Sequence, residues 1–433
     1  MLARSSSSQQ CAHSHSPRRP RRLHPRHCQK SAHACGVHYR AKGCSSSTSV
    51  VESTPRVMLY RRRDVVASMM IGTGAMASSS SQSALAATAN EDGAVAELEP
   101  QPQRRVRYEE FKLNVDGRSI VPLSVWIPDQ PTNVPPPSSL SYRHSISVAK
   151  IARLILRTDA NIPTWLDRSN VLLPASDGVF TVGNDAPLGR QNAAVLLSHG
   201  FLGSRFDLVD YAEGLARRGI VAVAPDFRES LSNPAGVDVP RDAVVSATFE
   251  FLKQRCEIAS ERIGLAGHSA GAGTTLLTPG QRPRVALAGF RGNCSQDVLS
   301  SPLLVIASDN DGVISMQPTP PDARFPFEGV LAAVESLPVS ASQYGEADLD
   351  ALVASADLPS PAFVRLTTAN HLSFLSDRTN DALIDVVGNL LPVARALDIR
   401  ALDFDKYYDA RDSQATLRTL APLVTRFFAQ HLL

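Results

Sequence analysis

Arg262-Ile263-Gly264-Leu265-Ala266-Gly267-His268-Ser269-Ala270-Gly271-Ala272-Gly273, or RIGLAGHSAGAG, packs glycines and alanines around one serine. Ile263, Leu265 and Ala266 form a short apolar run that reads as a buried strand. Gly267 to Gly271 fits the G-x-S-x-G template, in which strand turns into helix so sharply that the serine takes a strained backbone conformation. Small residues two places before and after the serine let the two backbones nearly touch. The turn lifts the hydroxyl above the sheet and aims a helix N-terminus at whatever binds it. A plain glycine-rich turn also fits five residues, so the strand before and the helix-compatible run Gly273-Thr274-Thr275-Leu276-Leu277 after carry the reading.

Outward from this turn the chain alternates between strand-like and helix-like periods. YEEFKLNV (from Tyr108) and SIVPLSVWI (from Ser119) read as two strands joined at Asp116-Gly117. AAVLLS (from Ala193), IVAVAP (from Ile220), RIGLAG, RVALAG (from Arg284), PLLVIAS (from Pro302) and FVRLTT (from Phe363) are apolar runs. Helical patterns separate them: FDLVDYAEGLARRG (from Phe206), RDAVVSATFEFLKQR (from Arg241) and the closing TLRTLAPLVTRFFAQHLL. Continuous apolar strands alternating with helices predict an α/β fold, a mostly parallel sheet covered on both faces. Its sites should form at the carboxyl ends of the strands. Two stretches interrupt the rhythm. Residues 130–190 read as an insertion carrying an amphipathic helix over SISVAKIARLIL (Ser145–Leu156), with Trp165 as a packing residue. Residues 317–360 hold one basic residue against seven acids and predict a small cap with helices GVLAAVESL and ADLDALVAS. Such a cap would disfavour anionic substrates, and a solvated surface excursion reads equally well.

A serine nucleophile needs a base, an orienting acid and donors for a developing oxyanion. Five histidines follow the leader: His144, His199, His268, His371 and His431. His268 adjoins the serine and should point away from it, and His431 sits in the terminal helix. His144 and His199 precede the elbow, against the order Ser, acid, His. His371, in TTANHLSFLSD just after the last strand, is left as the base. PLLVIAS runs straight into Asp309-Asn310-Asp311-Gly312, where either aspartate fits the acid. The spacing of strand end plus three favours Asp311, with Asp309 as a turn residue bonding its own backbone. Ser198-His199-Gly200-Phe201-Leu202-Gly203 leaves AAVLLS where an oxyanion loop belongs, so the amides of Phe201 and Ala270 are the candidate donors.

These residues resemble the alpha/beta-hydrolase superfamily, and within it the dienelactone-hydrolase-like esterases, platelet-activating-factor acetylhydrolases, chlorophyllases and cutinase-like polyester hydrolases. SHGFLGSRFDLVDYAEGLARRGIVAVAPDF is similar to the oxyanion loop, helix and strand of those families, PLLVIASDNDGV to the acid segment of the cutinase-like group, and ANHLSF to the histidine segment. The resemblance covers roughly residues 105–433. It implies the alpha/beta-hydrolase fold and hydrolysis of a carboxylic ester, apolar or lipid-like, through an acyl-enzyme, with Ser269, His371 and Asp311 and without metal or cofactor. Two departures narrow it. Acetylhydrolases carry their acid on the strand matching Arg284–Gly289, which has none here, and chlorophyllases show an arginine and a second glycine where Ala270 and Ala272 stand. Acyl transfer to an alcohol and an inactive, binding-only version of the fold are the rival classes.

The bulk numbers exclude little else. A net charge of +2 over 433 residues implies no nucleic-acid partner, and no oligomeric state is implied. Four of six cysteines lie in the first fifty positions; Cys256 and Cys294 remain, and two separate thiols are the plain reading of them. Residues 1–51 lack Asp and Glu but are rich in Arg, Ser and His, the composition of a transit peptide. Arg61-Arg62-Arg63, the weakly apolar ASMMIGTGAMA and Ser83-Ala84-Leu85-Ala86 then resemble a twin-arginine export signal. The pair predicts a targeting segment over 1–86, delivery to the thylakoid lumen of the chloroplast, a mature start near Ala87, a linker over 87–104, and at most peripheral contact with the thylakoid membrane. No later stretch approaches the roughly twenty apolar residues of a membrane span.

Overall fold

The structure, a computed structural model, describes residues 105–117, 119–129, 140–156, 168–182, 187–232, 239–290, 294–319, 328–388 and 413–433. The targeting segment, the linker and Trp165 lie outside the described residues. In chain order the strands are β1 (Val106–Val115), β2 (Ser119–Pro128), β3 (Ser141–Ser147), β4 (Arg168–Pro174), β5 (Val179–Phe180), β6 (Ala194–Ser198), β7 (Val221–Pro225), β8 (Ile263–His268), β9 (Arg284–Leu287), β10 (Leu303–Ser308), β11 (Ser342–Gly345) and β12 (Ala362–Leu366). The helices are α1 (Val148–Leu156), α2 (Val209–Arg217), α3 (Arg241–Cys256), α4 (Ala270–Leu277), α5 (Gln296–Leu299), α6 (Val330–Glu335), α7 (Leu349–Ala354), α8 (Asp377–Gly388) and α9 (Ser413–Leu432).

Ten strands make one sheet in the order β11-β12-β10-β9-β8-β6-β7-β2-β1-β5. From β11 to β7 every neighbouring pair is parallel, and β2 and β1 add antiparallel strands beyond β7. The continuous apolar runs follow from burial on both faces. On β6, Val195 and Leu197 enter the cluster containing α2 and α9, while Ala194 and Leu196 enter the cluster containing α3. On β10, Leu304 and Ile306 face that first cluster, and Leu303, Val305 and Ala307 face a third cluster that includes α6. Among the described residues no helix is long and apolar enough to cross a membrane.

The chain leaves β6 toward β7 on one side, whereas β8 pairs on the other side of β6. Strand order therefore reverses at β6, and the carboxyl ends of β6 and β8 are the place where such sheets bind ligands. Ser198 ends β6 and His268 ends β8, so the oxyanion loop and the elbow converge there.

Two expectations need correction. Ser145–Ser147 belong to β3, which pairs with β4 over seven positions, and only Val148–Leu156 are helical. Ile146 and Ile151 are both buried, so an apolar spacing that suits a helix spans a strand and a helix. The described part of the acidic segment, from 328 to 360, is no separate cap. Its β11 pairs in parallel with β12 and extends the central sheet, and α6 packs Val330, Ala333 and Val334 beside Phe363.

The β3–β4 insertion is tied to the main body through a buried polar chain. Trp126 Nε1 donates to the Tyr142 hydroxyl (3.0 Å), and that hydroxyl donates to Glu213 Oε1 on α2 (2.7 Å). Burial alone would raise the Glu213 pKa. The Arg378 guanidinium (3.1 Å) and the Ser176 amide (3.2 Å) reverse this and hold the carboxyl below its ordinary range.

Candidate active site

Ser269 sits at φ 55, ψ −116, a left-handed conformation that costs a non-glycine residue of the order of 1–3 kcal/mol. The flanking glycines explain how it is reached. A methyl group on Gly271 would lie 1.9 Å from the Ser198 carbonyl oxygen, and one on Gly267 would lie 2.2 Å from the Gly271 carbonyl oxygen. Only glycine at both positions lets α4 start this close to β6 and β8. The Ser269 amide donates to the Leu287 carbonyl (2.9 Å), and the hydroxyl-bearing side is partly exposed.

The structure brings Asp311 and His371 together. Asp311 stands three residues past β10, and its Oδ2 accepts a hydrogen bond from His371 Nδ1 at 2.8 Å. Its other oxygen accepts the amides of Val313 and Ile314, both at 2.8 Å, which fix the carboxylate's orientation. With Nδ1–H committed to the carboxylate, His371 Nε2 carries the lone pair of a base. The His371 loop is braced by Asn370, whose Oδ1 accepts the amides of Leu372 and Ser373 at 2.9 Å each. The Ser308 hydroxyl also donates to the Ala369 carbonyl, linking the β10 end to the same loop.

Asp309 has a different place from the one its sequence suggests. Both oxygens of its carboxylate share one bifurcated hydrogen bond from Arg365 Nε (2.9 and 3.0 Å) on β12. The residue that bonds its own backbone is Asp311. The cause is register: Asp309 N donates to Leu366 O, continuing the β10–β12 ladder and turning the Asp309 side chain toward exposed Arg365.

His268 links the elbow to the histidine loop. Its Nε2–H donates to the His371 carbonyl (2.8 Å), and the two rings lie 4.6 Å apart, so it faces the back of the His371 segment. Among the described residues no hydrogen bond joins the Ser269 hydroxyl to His371. That bond is commonly loose without substrate and tightens in the reacting complex. A Cβ built on Gly200 would come 3.3 Å from Ser269 Cβ, which puts the β6 loop against the serine. Among the described residues neither the Phe201 nor the Ala270 amide donates to a protein acceptor, as oxyanion donors require.

His199 supports that loop from inside. Its Nε2 accepts the Phe227 amide (2.9 Å), so its proton sits on Nδ1 and is donated to Gly200 O (2.7 Å). Sequence reasoning set His199 aside as a base and missed this role, although its place beside Gly200 was a signal for it. No group of three or more His, Cys, Asp or Glu among the described residues is placed to hold a metal ion. No disulfide joins Cys256 and Cys294.

Buried titratable groups make folding pH-dependent. Desolvation lowers His144 and His199 to about 4 and His268 well below its ordinary value; the Arg241 charge adds to the effect on His199, and His371 adds to that on His268. Burial raises Asp207 to about 7. Lowered histidines give stability that is complete above their unfolded value and lost as pH falls toward the folded one. Asp207 works oppositely, being more favourable as pH drops from 7 toward its unfolded value. The lowered histidines, His431 among them, outnumber the raised carboxyl, so the unfolded chain binds more protons than the folded one below pH 6.5 and stability falls with pH there. Urea midpoints measured at pH 7, 6 and 5 should fall steeply below pH 6.5. Equal midpoints at pH 7 and 5 would contradict it.

No family model matches the chain. "Cutinase 1" of Thermobifida cellulosilytica is 28% identical over 168 residues, 34% of this chain and 64% of that protein. "Cutinase" of Thermobifida fusca (strain YX) is 29% identical over 204 residues, 40% of this chain and 63% of that protein. The parallel sheet, the elbow at its switch point and this similarity agree. The chain has the alpha/beta-hydrolase fold. The chain spans less than two thirds of the length of either cutinase. Solved structures similar to it include a ferulic acid esterase from Streptomyces cinnamoneus (18% identity, TM-score 0.40, covering 77% of this chain and 92% of that one). Another is a dienelactone hydrolase from Anabaena variabilis (14% identity, TM-score 0.30, covering 62% and 89%).

Proposed function

We propose that this protein is a serine hydrolase of the alpha/beta-hydrolase superfamily that cleaves carboxylic esters through an acyl-enzyme. The observation that carries this reading is the 2.8 Å Asp311–His371 bond on a braced loop behind the residue next to Ser269, at the sheet's switch point. Ser269 Oγ attacks the ester carbonyl, and His371 Nε2 takes the hydroxyl proton. Asp311 holds the imidazole in the tautomer this needs and stabilises the imidazolium that forms. The Phe201 and Ala270 amides receive the carbonyl oxygen as it becomes negative. His371 returns the proton to the leaving alcohol, and water, activated by His371, deacylates the serine.

An apolar substrate suits the mouth of the site. Phe201 is 62% exposed on the oxyanion loop and Val313 is 48% exposed just past Asp311, so two of the segments that carry the site present apolar surface. The names of the relatives, cutinases, point to esters as well. We assign the protein to the thylakoid lumen on the composition of residues 1–86 alone; import into isolated chloroplasts followed by protease protection tests it.

The test of the activity is turnover of p-nitrophenyl esters from acetate to laurate, with fluorophosphonate labelling mapped by mass spectrometry. The expected result is hydrolysis favouring uncharged acyl chains, and a single labelled residue, Ser269. Neither turnover nor labelling would leave a binding protein on a hydrolase fold.

A further inference from the structure

We propose that Arg241 is a positioning residue for the oxyanion site, its guanidinium bridging the Gly200 peptide and the helix that follows Ser269. The proposal rests on the ester-hydrolase reading and concerns the chain's control of one amide.

Arg241 is the first residue of α3, next to Pro240. A cation there opposes the positive end of the helix dipole, and its side chain is only 17% exposed. Helix stability therefore gives no reason for it; the contacts do. Nε donates to Glu229 Oε1 (2.6 Å), and the guanidinium carbon lies 4.2 Å from the centre of the Phe227 ring. These two contacts fix the plane of the fork. Nη2 then donates to the His199 carbonyl at 3.1 Å and reaches the Gly200 carbonyl at 3.5 Å. Nη1 donates to Thr274 Oγ1 at 3.0 Å, and that hydroxyl donates to the Ala270 carbonyl one turn earlier on α4 (3.1 Å).

One rigid cation thus grips both walls of the oxyanion site. On the β6 side it holds the carbonyls of His199 and Gly200. In a trans peptide the carbonyl and the following N–H point in opposite directions. Drawing Gly200 O toward Arg241 therefore turns Phe201 N–H away from it, on the side where the loop meets Ser269. On the α4 side the same cation holds the first turn, whose Ala270 amide is the second donor. Gly200 O also accepts from His199 Nδ1 (2.7 Å) and Gly203 N (3.2 Å), so the loop survives without Arg241 but loses its register to α4. An oxyanion donor acts only on the transition state, so a misaimed amide lowers kcat and leaves KM nearly unchanged.

The experiment compares wild type with Arg241→Ala, Arg241→Lys and Thr274→Val for kcat and KM on p-nitrophenyl butyrate, with melting curves for each. The expected result is a kcat loss of about 10- to 100-fold in Arg241→Ala with KM within about twofold. Arg241→Lys should stay impaired, because one ammonium cannot span both walls as the fork does. Thr274→Val, which breaks one arm only, should lose less, and adding it to Arg241→Ala should cost nothing further. If Arg241→Ala does not fold, Thr274→Val and Arg241→Lys decide. Folded variants with unchanged kcat, a loss confined to KM, or full activity in Arg241→Lys would overturn the bridge while leaving the ester-hydrolase reading intact. Wild type that neither turns over esters nor takes the fluorophosphonate would end both.

Discussion

Replacing Ser269 by alanine is expected to reduce ester hydrolysis by about 10⁶-fold with little change in the melting transition. The fold should survive because the strain at φ 55 is backbone strain, imposed by the contacts of Gly267 and Gly271 with α4 and the β6 end. Alanine meets the same strain as serine, and removing a partly exposed hydroxyl leaves no buried polar partner unsatisfied. The chemistry should not survive, since the proposed mechanism starts at this hydroxyl, and His371 and the amides of Phe201 and Ala270 supply no nucleophile in its place. A residual rate over water of about 10³-fold can persist from the amides and substrate binding, which do not depend on the nucleophile. Rates on a p-nitrophenyl ester and fluorophosphonate labelling check both halves. An alanine variant keeping more than about 1% of wild-type turnover would place the nucleophile elsewhere.

Much of the fold was legible because its strands are buried on two faces. AVLLS, VAVAP and LLVIAS are continuous apolar runs for that reason, and each is a strand of the parallel sheet. The elbow was legible because close approach leaves glycine no substitute at 267 and 271. The insertion was harder. Ile146 and Ile151 fall on one apolar spacing although a strand ends and a helix begins between them. The edge strand β11, Ser342–Gly345, has no apolar run and is only partly buried, so nothing local separated it from a surface excursion. Arg241 was unreadable for another reason. Its partners His199 and Thr274 lie 42 and 33 positions away, and at short range it is only the start of a helix. His268 likewise meets His371 across 103 positions.

Asp311→Asn should lower kcat by about 10⁴-fold, far more than Asp309→Asn. Asp311 Oδ1 accepts the amides of Val313 and Ile314, and Oδ2 accepts His371 Nδ1–H. An asparagine placed here keeps its carbonyl oxygen on the two amides, the only arrangement that satisfies them. Its NH2 group must then face His371 Nδ1, which has to become the acceptor. The imidazole proton moves to Nε2, and the nitrogen turned toward the nucleophile is no longer a base. Geometry is preserved and the tautomer is inverted, so the loss falls on kcat and the melting curve changes little. Asp309 offers no such consequence: its bond to Arg365 joins two side chains 33% and 48% exposed, and pairs of that kind contribute less than about 1 kcal/mol. Asp309→Asn is therefore expected to keep activity within about twofold of wild type. Steady-state kcat for the two variants side by side decides between them, and a larger loss in Asp309→Asn would transfer the orienting role to that residue.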